Sequence, residues 1–393
     1  MVLLLIFVLS MQFGSYHTMV DHGAGIMYGH AQIQREDYVD EPRVRFVLDN
    51  AEEIAASVRT MDGVRGATPR AMSSALASKD ESTFGAMVMG VDPTHEASVS
   101  WLPGTVSTGR YLQTDATQPE AVIGSVLARN LGLKTGDEIV LLGVTPQDGV
   151  AVLVANVVGL LSSGQTPLDR ALVQVPLGLF QEAFEMTGAA HSVAVMYDDY
   201  GMAATDLENV EASLLASPQD QDASPGGAVN VALWNRLMPE IEGAIASDKA
   251  SSGVMYAVLV VLVTFSIANT FVMMLFERTR EFGTLLAMGV KPGQLRMTIA
   301  IETLLLAGLG TLVGAILGAA IAWGVGKLGI SVGSDQENLL AQFQLPDRIY
   351  FGVAWHALWA APLLMIVTTQ IAAFLATRRV HQMRIVDAIR EEM

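Results

Sequence analysis

The sequence predicts an α+β extracytoplasmic domain inserted between the first and second of four transmembrane helices. Three observations carry that expectation. Ala250 to Phe276 runs 27 residues and Ile349 to Thr377 runs 29 without an Asp, Glu, Lys or Arg, while Met297 to Gly326 holds one ionisable residue, Glu302. Each stretch is long enough, at about 1.5 Å per helical residue, to cross a hydrocarbon core of about 30 Å. Acidity is confined to one region: residues 14–249 hold 31 acidic against 13 basic residues, so the formal charge of -17 belongs to that body. A surface this acidic lacks the basic footprint that nucleic acid requires, so no nucleic-acid partner is expected. Cysteine is absent, which excludes disulfide staples and thiolate chemistry.

The first element is short. Met1 to Phe13 is almost wholly apolar and has no Lys or Arg, so it lacks the positive n-region of a signal peptide. Two readings compete: the end of a helix whose start precedes this chain, which is preferred, or a short span completed by Gly14 to Thr18. The first helix is accordingly placed over residues 1–18 and the body over 19–249, as one unit or two subdomains. Within the body Ala31–Gln34, Phe84–Val91, Ala151–Leu161, Ala171–Val175 and His191–Met196 read as strands. Asn50–Thr60 reads as an amphipathic helix with Asp49 as N-cap. Ala121–Val140 gives strand, helix, a turn at Leu133–Asp137 and strand again, and helices are expected over Leu179–Thr187 and Thr205–Leu215 before a polar loop, Pro218–Gly227.

No catalytic constellation emerges. His17, His22, His30, His95 and His191 are scattered without metal-ligand spacing, and Asp198-Asp199 reads as a solvated loop. Gly324-Val325-Gly326-Lys327 lacks the full phosphate-loop pattern. The chain is therefore expected to be no enzyme, with no catalytic, cofactor-binding or metal-binding residues of its own.

The membrane part, residues 250–393, is expected to hold spans over about 251–276, 298–325 and 353–376, joined by a loop at 277–297 and followed by a tail at 377–393. Arg278, Arg280, Lys291 and Arg296 in the loop, and Arg378, Arg379, Arg384 and Arg390 in the tail, place both on the cytoplasmic side by the positive-inside rule. Phe282–Met288 is amphipathic and reads as a continuation of the second helix. Gly289 suits a helix C-terminus and Pro292 a helix start, so a short helix over Pro292–Arg296 is expected to project as a rigid knob. Such a knob could carry force from a soluble subunit into the membrane. Glu302, one to two turns into the third span, is expected to pair with Arg296 or Arg280. Asn269 is expected to bond across helices. Gly310, Gly314 and Gly318 repeat every fourth position and predict a close-packed helix seam, and Pro362 predicts a bend in the last helix.

At these residues the sequence resembles the ABC-transporter permeases related to FtsX and the macrolide exporters, most closely the lipoprotein-releasing permeases. The resemblance rests on Asn269-Thr270, then Phe276-Glu277-Arg278-Thr279-Arg280-Glu281-Phe282-Gly283, Ala287-Met288-Gly289-Val290 and Glu302, with the tail ATRRVHQMRIVDAIR. Upstream, Gly29-His30-Ala31-Gln32-Ile33, Val91-Asp92-Pro93, Gly109-Arg110-Tyr111-Leu112, Leu131–Asp137 and WNRLMPEI at Trp234–Ile241 add to it. It implies a multi-pass inner-membrane protein with its large domain in the periplasm. It implies as partners a cytoplasmic ATPase dimer, which binds ATP and Mg in place of this chain, and a second copy or a homologous permease. Membrane lipid and a periplasmic lipoprotein chaperone or adaptor complete the implied set. It assigns the ATPase contact to Glu277, Arg278, Arg280, Glu281, Gly289, Lys291, Pro292 and Arg296. Lipoprotein release is the leading function, efflux of small amphiphiles or peptides the alternative, and a non-transporting regulator or structural membrane protein the third reading.

Overall fold

The computed structural model describes residues 1–114, 116–203, 227–331 and 348–380. The expected helix at 205–215, most of the loop at 218–227, Arg384 and Arg390 lie outside them. The described residues fall into two units, one helical over 1–16, 243–331 and 348–380, and one α+β over 17–203 and 227–242.

In the α+β unit the strands are β1 (Ala31–Arg35), β2 (Val64–Lys79), β3 (Ser82–Val91), β4 (Val106–Gly109), β5 (Glu120–Gly124), β6 (Glu138–Val144), β7 (Val150–Leu161), β8 (Leu172–Pro176), β9 (Ser192–Tyr197) and β10 (Val229–Leu233). Pairing runs β2-β3-β8-β5-β7-β6 and returns from β6 to β2, a closed circuit of six strands. On β7 burial alternates strictly, with Ala151, Leu153 and Ala155 inward and Val150, Val152 and Val154 outward, the period-two pattern of a sheet with one covered face. Ala75, Val88, Ile123, Ile139, Leu153 and Val175 belong to the core this circuit encloses.

β2 extends beyond the circuit. Its first half pairs antiparallel with β9, which carries β1 and then β10. Against this ribbon packs helix α2 (Ala51–Val58) through Ala51, Ala55 and Val58. Asn50 rather than Asp49 occupies its N-cap, at φ +52°, and no side chain caps it. Short helices α3 (Glu96–Val99), α4 (Ser125–Leu131), α5 (Thr166–Ala171), α6 (Leu177–Ala183) and α7 (Trp234–Leu237) fill the connections. Arg70 on β2 and Glu96 on α3, 1% and 0% exposed, form a buried two-point ion pair with contacts of 3.2 and 2.6 Å.

Among the described residues, four helices are long and apolar enough to cross a membrane. Helix α1 (Val2–Gly23) passes into a π turn over Ala24–Tyr28, so it is longer than the 1–18 segment expected. Helix α8 spans Pro239–Glu277, α10 spans Pro292–Leu328, and α11 spans Trp355–Val380 with Pro362 inside it. Between α8 and α10 lies α9 (Thr279–Ala287). Within the helical unit, Val2, Leu5 and Ile6 of α1 pack with Ala315 of α10 and with Leu358, Ala361 and Met365 of α11. Buried Ser10 accepts the backbone N–H of Ala354 at 3.1 Å, just before α11 begins.

Candidate functional site: the hairpin between α8 and α10

The segment singled out in the sequence folds as a helical hairpin. Contrary to expectation, the second span does not run unbroken into Phe282–Met288. Arg278, at φ -98° and ψ 10°, separates α8 from α9. The backbone bonds Arg278 N to Met274 O and Phe282 N to Arg278 O keep the two helices joined across that break. The strongly amphipathic α9 buries Phe282 against Leu295 and Ile299 of α10, with Leu285 and Leu286 alongside.

The turn is held by backbone geometry. Gly289 sits at φ +95°, a conformation that any side chain would strain. Its N–H reaches Leu286 O at 3.1 Å, while Val290 N–H reaches Leu285 O at 3.1 Å. Those two bonds are the 5→2 and 6→1 pair of a Schellman motif, which satisfies the last carbonyls of α9. Pro292 then opens α10 at its first turn, where its missing N–H removes no helical bond. Gln294 Oε1 accepts the N–H of Lys291 at 3.2 Å. The Lys291 ammonium has no acceptor with which to return the bond, so the cap is one-sided. The short helix expected over Pro292–Arg296 is not separate: those residues are the first turns of the 37-residue α10.

Electrostatics pins the hairpin at its base. The partner of Glu302 is Arg278, not Arg296 or Arg280: Arg278 Nη1 donates to both Glu302 oxygens at 3.0 and 3.2 Å. The same guanidinium gives Nε to Glu281 at 3.0 Å and lies 5.5 Å from the Phe282 ring centroid. Arg278 and Glu302 are 38% and 45% exposed, so in water the pair would contribute about 0–1 kcal/mol. Its structural effect is to tie the break after α8 to the body of α10. Glu277, Arg280, Glu281, Gly289, Lys291 and Pro292 are all exposed, and Arg296 is half-buried with its guanidinium 5.4 Å from the Phe374 ring centroid.

The other predicted packing residues divide. A Cβ on Gly318 would stand 3.0 Å from Leu3 Cα and O, and one on Gly314 would stand 3.1 Å from Val2 Cβ, so α1 lies in that seam. Gly310 has no such neighbour within 4 Å. Asn269 is exposed on α8 and, among the described residues, makes no bond to another helix. Sequence reasoning missed Phe282, Leu295 and Ile299 as the hairpin's core; their signal was an apolar i, i+4 pair within each helix, Phe282 with Leu286 and Leu295 with Ile299.

In the α+β unit, distance along the chain concealed two polar clusters. Asp21 contacts both His17 and His30, at 3.4 and 2.8 Å, and His17 also meets Asp199 at 3.4 Å. Glu52, Asp92 and His95 bring ligand atoms within 4.8 Å of one another, a convergence that residue spacing did not reveal. Both carboxylates already have cationic or ring partners, Arg59 on Glu52 at 2.9 Å and His95 on Asp92.

Comparison with known proteins places this architecture. Residues 1–216 match the MacB-like periplasmic core domain family and residues 253–385 the FtsX-like permease C-terminal family. A lipoprotein-releasing system transmembrane protein LolC of Xylella fastidiosa is 24% identical over 306 residues, covering 76% of this chain and 70% of that protein. A macrolide export ATP-binding/permease protein MacB of Rhodospirillum rubrum is 24% identical over 289 residues, covering 71% of this chain and 42% of that protein. The periplasmic region of MacB from Actinobacillus actinomycetemcomitans is 15% identical, covering 56% of this chain and 94% of that one, with a TM-score of 0.39. The chain belongs to the ABC-transporter permeases that join a MacB-like periplasmic core domain to an FtsX-like permease domain.

Proposed function

We propose that this chain is the membrane subunit of an ATP-driven complex that extracts or releases lipoproteins at the inner membrane. The α+β body, inserted between the first and second spans, would be its periplasmic working part. The observation that supports this reading is the hairpin: a Schellman-capped, ion-paired unit between two spans, with Arg280 and Lys291 exposed on it. A contact made there is transmitted through Phe282 onto α10 and through Arg278 onto α8. A cytoplasmic ATPase dimer that closes on ATP and Mg is the partner whose motion such a lever would convert. A second copy or a homologous permease would complete the membrane assembly. A periplasmic chaperone or adaptor would receive the product.

The LolC similarity, spanning most of both chains, favours lipoprotein work. The MacB-like core favours efflux of small amphiphiles as the second reading.

One experiment separates the levels. The chain is reconstituted with its ATPase, and ATP hydrolysis is measured alongside release of an acylated protein and of a small amphiphile. Arg280→Glu is expected to reduce ATPase stimulation about tenfold or more, since it turns a contact-forming cation into a repulsive charge. Arg278→Glu is expected to do the same, with partial recovery when combined with Glu302→Arg. Stimulation unchanged in Arg280→Glu would remove the coupling role. Release of the amphiphile alone would replace the first substrate reading by the second.

A further inference from the structure

Between the first turns of α10 and the later turns of α11 lies an open groove of about 670 Å³. Its walls are apolar, built from Met297, Ile299 and Ala300 on one helix and Ile366, Val367 and Ile371 on the other. Two side chains give it polarity. Arg296 lines one end, its guanidinium 5.4 Å from the Phe374 ring centroid. Gln370 lines the groove opposite, and among the described residues its buried Nε2 has no hydrogen-bond partner.

The chemistry of these two groups selects an occupant. Guanidinium N–H and amide NH₂ are donors, and among the described residues no carboxylate lines the groove. A buried donor left unbonded is costly, so an acceptor is the missing element. A neighbouring membrane helix is a poor source, because its carbonyls are already spent on its own backbone. A bare acyl chain has no acceptor at all. A phosphate diester joined to acyl chains supplies oxygen acceptors at one end and an apolar body for the walls at the other. A zwitterionic headgroup would bring an ammonium to a site without an acid.

We propose that this groove binds an anionic phospholipid, its phosphate held between Arg296 and Gln370 and an acyl chain laid along Met297, Ile299, Ile366 and Ile371. The site is independent of what the permease transports. Because Ile299 also packs against Phe282 of α9, a lipid seated there would brace the hairpin.

The test uses the full chain in nanodiscs of equal phosphatidylglycerol and phosphatidylcholine, with the retained lipid counted by native mass spectrometry after extraction into detergent. The native chain is expected to retain phosphatidylglycerol in about fivefold preference, the scale of one basic residue near an anionic lipid surface. Arg296→Gln is expected to bring that preference close to one. Gln370→Leu, which keeps the helix and fills the wall, is expected to halve it. Lys327→Gln, at the other end of α10, and Arg280→Glu are expected to leave it unchanged, which separates lipid binding from ATPase coupling. Equal retention of the two lipids by the native chain would overturn the proposal, as would a preference that survives both Arg296→Gln and Gln370→Leu. Displacement of phosphatidylglycerol by millimolar inorganic phosphate would also overturn it, by revealing a site for free anions.

Discussion

Gly310→Ala and Gly318→Ala are the same substitution eight residues apart on one helix, and the structure predicts opposite outcomes. Each exchange removes the excess conformational freedom of glycine in a helix, a gain of about 0.8–1.0 kcal/mol. At Gly310 a Cβ meets nothing within 4 Å, so most of that gain should survive. At Gly318 the new atom would lie 3.0 Å from Leu3 Cα and O and 3.2 Å from Ile6 Cβ. Two of those neighbours are backbone, which cannot rotate aside as a side chain can. Accommodation requires α1 to retreat, and overpacking of this kind costs about 1–3 kcal/mol. The two variants should therefore differ by about 1–3 kcal/mol, a separation of a few degrees in unfolding midpoint at roughly 1 °C per kcal/mol for a chain of 393 residues. The assay is thermal unfolding of the purified chain in detergent, followed by tryptophan fluorescence, with Trp323 on the same helix as a local reporter. Equal midpoints for Gly310→Ala and Gly318→Ala would refute the assignment of the seam to α1.

Two further predictions concern the α+β unit. His191 is fully buried; its Nδ1 accepts the N–H of Met72 at 2.9 Å and its Nε2–H donates to Val44 O at 2.9 Å, so the ring is neutral. Burial pushes its pKa down to about 4 from the ordinary 6.5. The unfolded chain then binds the extra proton first, so this stability is complete above about pH 6.5 and is lost as pH falls towards 4, by about 3 kcal/mol. Denaturant titrations at pH 7.5 and 4.5 should show that loss, reduced in His191→Gln; an equal loss in both chains would exclude His191 as the source. Arg70→Leu leaves the Glu96 carboxylate buried without its ion-pair partner and should cost about 3–5 kcal/mol, whereas Arg70→Leu with Glu96→Leu should recover much of it. Denaturation midpoints of the single and double variants check this.

The membrane helices and the turn of the hairpin were legible in the sequence because their signals are local. Charge-free length marks a span, glycine at a helix end marks a left-handed cap, and proline marks a first turn. The choice of Arg278 as partner of Glu302 was not legible. It depends on how α9 crosses back over α10, which no spacing along one helix encodes. β2 escaped notice for a different reason. Its first half is buried on both faces, so Gly66 to Ala71 shows no alternation, and its small residues and Pro69 lack the β-branched bulk of a typical strand. Glu52 and His95 could not be joined from their spacing, because their meeting depends on where α2 settles against the sheet.

β2 has a consequence for mechanics. Sixteen residues of extended chain reach about 50 Å. Over that length one edge is bonded first to β9 and then to β6, while much of the other is bonded to β3. Bending the strand would break a ladder along its whole length, and ladders on both sides at Ala75–Ser78. A push at one end of the strand should therefore arrive at the other as displacement rather than deformation. The strand acts as a beam.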